Sequence, residues 1–178
     1  MKSLQTIQKT FRVFQTLSKI AMVLSFVWAG LAALGLLCGV LWYSGGNVFG
    51  VNQELLYSLT VTGGLTEMIG VLLVDMILAL TDGTLLVFAV RYFKAEQADG
   101  TPFSHSGADL MKRLGILLIV LPAVATILVG VLHGIFDMPQ IEAADVGNGT
   151  SVMMGIMLIL VSLILRYGAE MEENRDAR

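Results

Sequence analysis

Four long apolar stretches alternate with polar segments along this 178-residue chain. They cover about residues 20–43, 68–90, 114–133 and 147–165. A helix of about 20 apolar residues, rising about 1.5 Å per residue, crosses a hydrocarbon core of about 30 Å. Each stretch is therefore long enough to span a bilayer. The pattern predicts one all-α integral membrane domain over residues 1–178, in which four transmembrane helices form a bundle.

A shorter amphipathic pattern precedes the first span. Apolar residues recur at helical spacing on one side and basic residues project from the other: Leu4, Ile7, Phe11 and Phe14 against Lys2, Lys9, Arg12 and Lys19. Such a segment forms an amphipathic interfacial helix on the membrane surface, or it continues the first span into the cytoplasm. The sequence leaves both arrangements open.

Composition excludes an ordinary soluble domain. Hydrophobic residues make up 56% of the chain and charged residues only 14%, whereas soluble domains average about 25% charged residues. The lipid bilayer is thus the first predicted partner. Cys38 is the single cysteine, which excludes an intramolecular disulfide and a cysteine metal cluster.

The basic residues predict the orientation. All eleven lie in the two tails, residues 1–19 and 166–178, or beside the loop between the second and third spans. The other two loops contain no Lys or Arg. Because cytoplasmic loops are enriched in these residues, we expect a multi-pass protein of the cytoplasmic membrane with both termini inside. Acidic residues balance the inner cations, so we expect no direct binding of nucleic acid.

The sequence contains no catalytic or cofactor motif. We therefore expect that the protein is not an enzyme and that it has neither a cofactor nor a metal site. His105 and His133 lie on opposite sides of the membrane in the predicted topology and therefore share neither a metal nor a proton relay. Met153, Met154 and Met157 are ordinary residues for packing between helices.

Two carboxylates inside the second span form a candidate polar site with the hydroxyls of Thr81 and Thr84. Asp75 and Asp82 are seven residues apart, which places them on nearly one helix face, about 10 Å apart along the axis. A charged Asp at the bilayer centre costs about 2.5–3.5 kcal/mol, and no Lys or Arg lies in any span to offset it. Two hypotheses follow. In the first the site binds a cation or a proton; in the second Asp82 is protonated and its hydrogen bonds fix helix packing.

Glycine pairs at small-xxx-small spacing occur in two spans. Gly35 with Gly39, and Gly130 with Gly134, let helices approach closely. We expect internal packing, although the pattern also suits a homo-oligomer. Pro122 lies in the middle of the third span, where it removes a backbone hydrogen bond.

The loop between the second and third spans predicts a cytoplasmic docking surface. Gly100 ends one helix, and Thr101 with Pro102 suits the start of the next. Ser106 and Asp109 offer an alternative capping pair for that start. We expect Phe103 to be exposed beside mixed charge in this loop, so Pro102 and Phe103 are the docking candidates.

Short motifs around this loop and in the tail suggest a family. They are Arg91-Tyr92-Phe93-Lys94, Asp99-Gly100-Thr101-Pro102-Phe103, Leu110-Met111-Lys112-Arg113-Leu114-Gly115 and Leu165-Arg166-Tyr167-Gly168-Ala169-Glu170. In order and spacing the chain resembles bacterial membrane proteins of the domain-of-unknown-function 2975 family. The resemblance implies a four-helix protein of the bacterial cytoplasmic membrane, without established activity, often encoded beside small helix-turn-helix regulators. The tail is shorter than those of the family.

These observations together favour a non-catalytic protein with a sensory, regulatory or protein-interaction role, working with a membrane or regulatory protein partner. The alternative is a small oligomeric transporter or channel that uses the carboxylates of the second span.

Overall fold

The computed structural model describes residues 2–43, 65–99, 105–136 and 149–176, and each of these ranges is one helix. They are α1 (Lys2–Tyr43), α2 (Leu65–Asp99), α3 (His105–Phe136) and α4 (Gly149–Asp176). All four are long and apolar enough to cross a membrane. The predicted all-α architecture with four membrane-spanning helices is confirmed.

The helices are longer than the apolar stretches that predicted them. α1 is continuous from Lys2, so the amino-terminal segment extends the first span and is not a separate interfacial helix. Phe11 and Phe14 lie against Phe93 of α2, with ring centroids 6.1 and 6.0 Å apart respectively. The Gln97 amide donates a hydrogen bond of 3.1 Å to the Gln15 carbonyl oxygen. These contacts hold the start of α1 on the end of α2.

The four helices form an open row. In the described parts of the chain, α1 packs on α2, α2 on α3 and α3 on α4, and no other pair of helices brings its Cα atoms within 8 Å. α1 and α4 are therefore the edges of the bundle. Because consecutive helices are antiparallel, the start of α1, the end of α2, the start of α3 and the end of α4 lie at one end of the bundle, which we call the termini end. His105 and Glu173, 3.7 Å apart, also meet there.

Glycines accept side chains between α1 and α2. A Cβ placed on Gly35 would lie 3.2 Å from a methyl group of Leu72, and one on Gly39 would lie 3.1 Å from the end of Met68. The first predicted glycine pair thus packs inside the monomer, as expected. Farther along α2, the Phe26 ring covers Gly83.

A different pair of glycines brings α3 and α4 together. A Cβ on Gly115 would lie 2.8 Å from the carbonyl oxygen of Gly155, and one on Gly155 would lie 2.7 Å from that of Gly115. Buried small residues repeat at intervals of seven along both helices, namely Ala108, Gly115 and Pro122 on α3 and Gly155, Ser162 and Ala169 on α4. The two backbones therefore meet almost directly.

The prediction of internal packing was wrong for Gly130 and Gly134. No described atom lies within 4 Å of a Cβ built on either residue. On the other side of this part of α3, Val129 is 1% exposed and packs with Val74 of α2. The part of α3 after Pro122 thus packs against α2 alone among the described helices. Gly130 and Gly134 in this part are not covered by the described residues.

α4 begins near the level of the middle of α3. Its third residue, Ser151, lines the same cavity as Pro122, and α3 continues through Pro122 to Phe136. About 21 Å of α3 therefore extends past the start of α4. The offset places the first turn of α4 beside the middle of α2.

Candidate functional site

An open groove lies between α1 and α2. Its volume is about 500 Å³. The lining is mostly apolar and includes two carboxylates, one hydroxyl and one indole, contributed by Leu24, Ser25, Val27, Trp28, Asp75, Leu78, Ala79 and Asp82. Residues of α3 and α4 do not line it. The groove is therefore on the edge of the row, on the surface that α1 and α2 present together.

Asp75 and Asp82 share this groove, as their seven-residue spacing predicts. A rise of about 1.5 Å per residue puts their backbones about 10 Å apart along α2. Phe26 packs on Gly83, so the neighbouring residues Ser25 and Asp82 lie at the same level of the α1–α2 pair. The two carboxylates thus mark two levels of one groove.

Asp82 also borders a second cavity, between α2, α3 and α4. This cavity of about 300 Å³ is lined by Leu78, Thr81, Asp82, Leu85, Leu118, Pro122 and Ser151. Pro122 has no N–H, so the Leu118 carbonyl loses its α-helical donor. Of the two carboxylates, Asp82 is therefore the one that lines both spaces.

The two threonines of the predicted site differ in their relation to Asp82. The Thr81 hydroxyl donates to the Ile77 carbonyl at 2.8 Å, and the Thr84 hydroxyl donates to Leu80 at 2.7 Å. Thr81 still lines the second cavity beside Asp82, where its oxygen can act only as an acceptor. Thr84 faces a third space towards α3, which it shares with Thr81 but not with Asp82. Thr84 therefore lies apart from the carboxylates.

The groove is negatively charged whenever its carboxyl groups are ionised. Within the described ranges neither Asp75 nor Asp82 forms an ion pair or a hydrogen bond with another side chain. The four apolar stretches contain no Lys or Arg. The described basic residues lie at the termini end, where Arg166 pairs with Glu170 at 3.4 Å on the surface.

Tyr92 and Glu96 form a buried pair that no sequence motif marks. Their side chains are 7% and 4% exposed, at the termini end of α2. Their spacing of four residues put them on one helix face, which was the available signal. The pair lies beside Phe93, so it belongs to the region where α1 is held on α2.

The histidines are far apart on α3. His105 is at its first residue, whereas His133 is near the opposite end with a buried Nε2 atom. Within the described ranges no three His, Cys, Asp or Glu side chains are grouped as metal ligands. The docking candidates Pro102 and Phe103 lie outside the described residues.

Comparison with protein-family models, curated proteins and solved structures finds no match to this chain. The resemblance to the domain-of-unknown-function 2975 family stays a prediction. What the structure establishes is a four-helix membrane protein with an acidic groove at one edge.

Proposed function

We propose that this protein has a sensory or regulatory role in the bacterial cytoplasmic membrane, without catalysis, and that its signal enters through the α1–α2 groove. The observation that supports this proposal is the location of Asp75 and Asp82 in one open, largely apolar groove. Ionisable residues within membrane spans are costly and generally functional. A groove of this kind can accept a ligand without a catalytic group.

The packing of α1 on α2 offers a route for the signal. At the groove the two helices meet through the ends of side chains, such as the Phe26 ring on Gly83. Both helices continue to the termini end, where Phe14 stacks on Phe93. A ligand that spreads the groove would tilt α1 relative to α2 and alter this aromatic contact. The conformational change would then reach the α2–α3 connection.

A regulatory protein partner at the termini end fits this route. We propose that the termini end is cytoplasmic, because it carries the basic residues, and that Pro102 and Phe103 contribute to the docking surface. Similarity to the domain-of-unknown-function 2975 family, whose members often lie beside genes for small regulators, agrees with this role.

Transcript profiling of a deletion strain tests the regulatory role. We expect the deletion to change the abundance of a defined set of transcripts, and wild-type protein to restore it. Asp82→Asn keeps the size of the side chain but removes its charge, so the folded variant should fail to restore the profile. Asp109→Asn changes an exposed carboxylate at the termini end and should restore it. A deletion without any effect on transcripts would contradict the regulatory role.

Labelling of introduced cysteines tests the proposed orientation, after replacement of Cys38 by Ala. Cysteines in place of Ser58 and Asn148 should react with an impermeant thiol reagent added to intact cells. One in place of Ser104 should react only after the membrane is permeabilised. Labelling of position 104 in intact cells would reverse the topology.

Transport of a proton or cation is a second candidate, favoured by the position of Asp82 in the lining of two cavities, one between α1 and α2 and the other between α2, α3 and α4. A carboxylate that lines both spaces can exchange a proton or cation with each in turn. In reconstituted vesicles a pH gradient should then drive a flux that Asp82→Asn abolishes. If vesicles that contain folded wild-type protein in a known orientation show no flux, transport is excluded and the regulatory role is the remaining proposal.

A further inference from the structure

We propose that the α1–α2 groove binds a lipophilic organic cation, that is, one positive charge carried on an apolar body such as a quaternary ammonium or phosphonium ion. The inference deepens the proposed function, on which it rests, because it names the ligand class of the same groove. Four properties of the groove lead to it: size, charge, aromatic lining and position.

The groove has the dimensions and lining of a small-molecule site. Such sites are concave spaces of roughly 300–1,000 Å³ with mainly apolar walls and a few polar groups, and this groove measures about 500 Å³. Leu24, Val27, Leu78 and Ala79 supply apolar wall. An apolar body therefore fits here, and a small hydrated ion would leave most of the space unused.

The charge of the groove selects a cation. Asp75 and Asp82 are the charged groups of the lining, and the described chain supplies no basic side chain to them. An anionic ligand would meet two carboxylates at short range. A divalent metal ion is also disfavoured, because its oxygen ligands must lie within about 2.3–2.6 Å of the ion, whereas the backbones of Asp75 and Asp82 are about 10 Å apart along the helix and no third His, Cys, Asp or Glu joins them among the described residues.

The remaining lining suits an organic cation rather than an inorganic one. Trp28 contributes its indole to the groove, and a Trp face attracts organic cations through cation–π interaction. The Ser25 hydroxyl lies level with Asp82 and can donate a hydrogen bond to the carboxylate that receives the charge. A quaternary ammonium or phosphonium ion is weakly hydrated, so it enters apolar surroundings at a smaller cost than an inorganic ion.

The position of the groove predicts the route of entry. Its lining comes from two membrane-spanning helices, and α3 and α4 do not cover it. A ligand that partitions into the bilayer therefore reaches the groove sideways from the lipid. Lipophilic cations concentrate in membranes, which suits a protein that reports their presence.

Binding of two oppositely charged probes of the same shape tests the proposal. Trp28 and Trp42 are the two tryptophans of the chain, so Trp42→Phe leaves Trp28 as the reporter in the groove. The full-length protein in nonionic detergent is titrated with tetraphenylphosphonium and, separately, with tetraphenylborate. We expect the phosphonium cation to change Trp28 fluorescence saturably and the borate anion to give only the linear response of micelle partitioning.

Carboxylate variants locate the charge. Asp82→Asn should raise the phosphonium dissociation constant at least about tenfold, since it removes one of the two carboxyl groups that can carry negative charge in the groove. Asp75→Asn with Asp82→Asn should abolish saturation, whereas Asp109→Asn should leave the titration unchanged. Circular dichroism and gel filtration establish that each variant is folded. Because the comparison of the two probes uses unaltered carboxylates, it decides the question even if the double variant fails to fold.

Saturable binding of the anion equal to that of the cation would overturn the proposal, and so would saturable cation binding that persists in the folded double variant. Failure of the proposed function gives a different result. If phosphonium does not bind but Asp82→Asn still alters the transcript profile, the ligand class is wrong and the regulatory role stands. If phosphonium binds as expected but deletion leaves the transcripts unchanged, the regulatory role is wrong and the site stands.

Discussion

Substitution of Gly115 by Ala tests the direct backbone contact between α3 and α4. The added Cβ would lie 2.8 Å from the Gly155 carbonyl oxygen and 2.9 Å from the Ile159 side chain, where ordinary contact begins at 3.4 Å. The helices must therefore separate by about 0.6 Å to restore that distance. Overpacking of this kind costs about 1–3 kcal/mol. The backbone atom cannot move aside as a flexible side chain could.

Gly130→Ala supplies the matched control, because no described atom lies within 4 Å of its Cβ. Both substitutions occur in α3, and both gain about 1 kcal/mol of helix propensity. The shared gain cancels in the comparison. We therefore expect Gly115→Ala to be less stable than Gly130→Ala by about 1–3 kcal/mol.

The measurement is pulse proteolysis of the full-length protein in mixed dodecylmaltoside and SDS micelles. The fraction of protein that survives a brief trypsin pulse gives the SDS midpoint for each variant. Gly115→Leu should lower the midpoint further, since the larger side chain extends the same clash. Equal midpoints for Gly115→Ala and Gly130→Ala would refute the direct backbone contact at this crossing.

Three further substitutions test other contacts. Phe93→Ala removes the one ring that contacts both Phe11 and Phe14, at about 0.5–1.5 kcal/mol for each pair, so trypsin should cleave faster after Lys9, Arg12 or Lys19; unchanged cleavage rates would contradict this contact. Gly35→Ala should shift the SDS midpoint little, because its Cβ meets a movable methyl group of Leu72 at 3.2 Å; a loss as large as that of Gly115→Ala would count against the distinction between the two interfaces. Arg166→Gln should change stability by less than about 1 kcal/mol in the same titration, because its ion pair with Glu170 is largely exposed; a larger loss would assign this pair a structural role.

The sequence predicted the helices better than their ends. Apolar length identifies the part of a helix that lies in hydrocarbon, whereas the helix itself continues while its residues favour helix and find contacts. α2 was predicted over residues 68–90 but runs from Leu65 to Asp99. Its extension is rich in good helix formers and carries Phe93 and Gln97, which bind α1. The extra turns follow from tertiary contacts.

The candidate site was predictable only in part. A seven-residue spacing determines that Asp75 and Asp82 share a face, because it depends on helix geometry alone. Which neighbour covers that face depends on how the helices are arranged, and the sequence carries no comparable signal for it. The contribution of Trp28 and Ser25 to the site is therefore visible only in the structure, which places α1 beside α2. For the same reason, the sequence did not show that Thr84 lines a different space from Asp82.

Helix packing shows the same limit at the glycines. Small-xxx-small spacing states that a close approach is allowed, but it does not choose the partner. Gly35 and Gly39 pack against side chains of α2, whereas no described residue covers Gly130 or Gly134. The crossing at Gly115 and Gly155 had a signal of its own. Small residues recur every seven positions on both helices. Such a repeat identifies a pair of packing partners only when both helices carry it.

The two outer interfaces of the row differ in a way that bears on the groove. α3 and α4 meet backbone to backbone at Gly115 and Gly155, where any change of spacing breaks the close contact at once. α1 and α2 meet through the flexible ends of Leu72 and Met68, which can follow a small displacement of α1 by changing rotamer. If a ligand binds as proposed, movement should therefore be easier at the interface that contains the acidic groove. The α3–α4 pair then serves as the fixed part against which α1 and α2 rearrange.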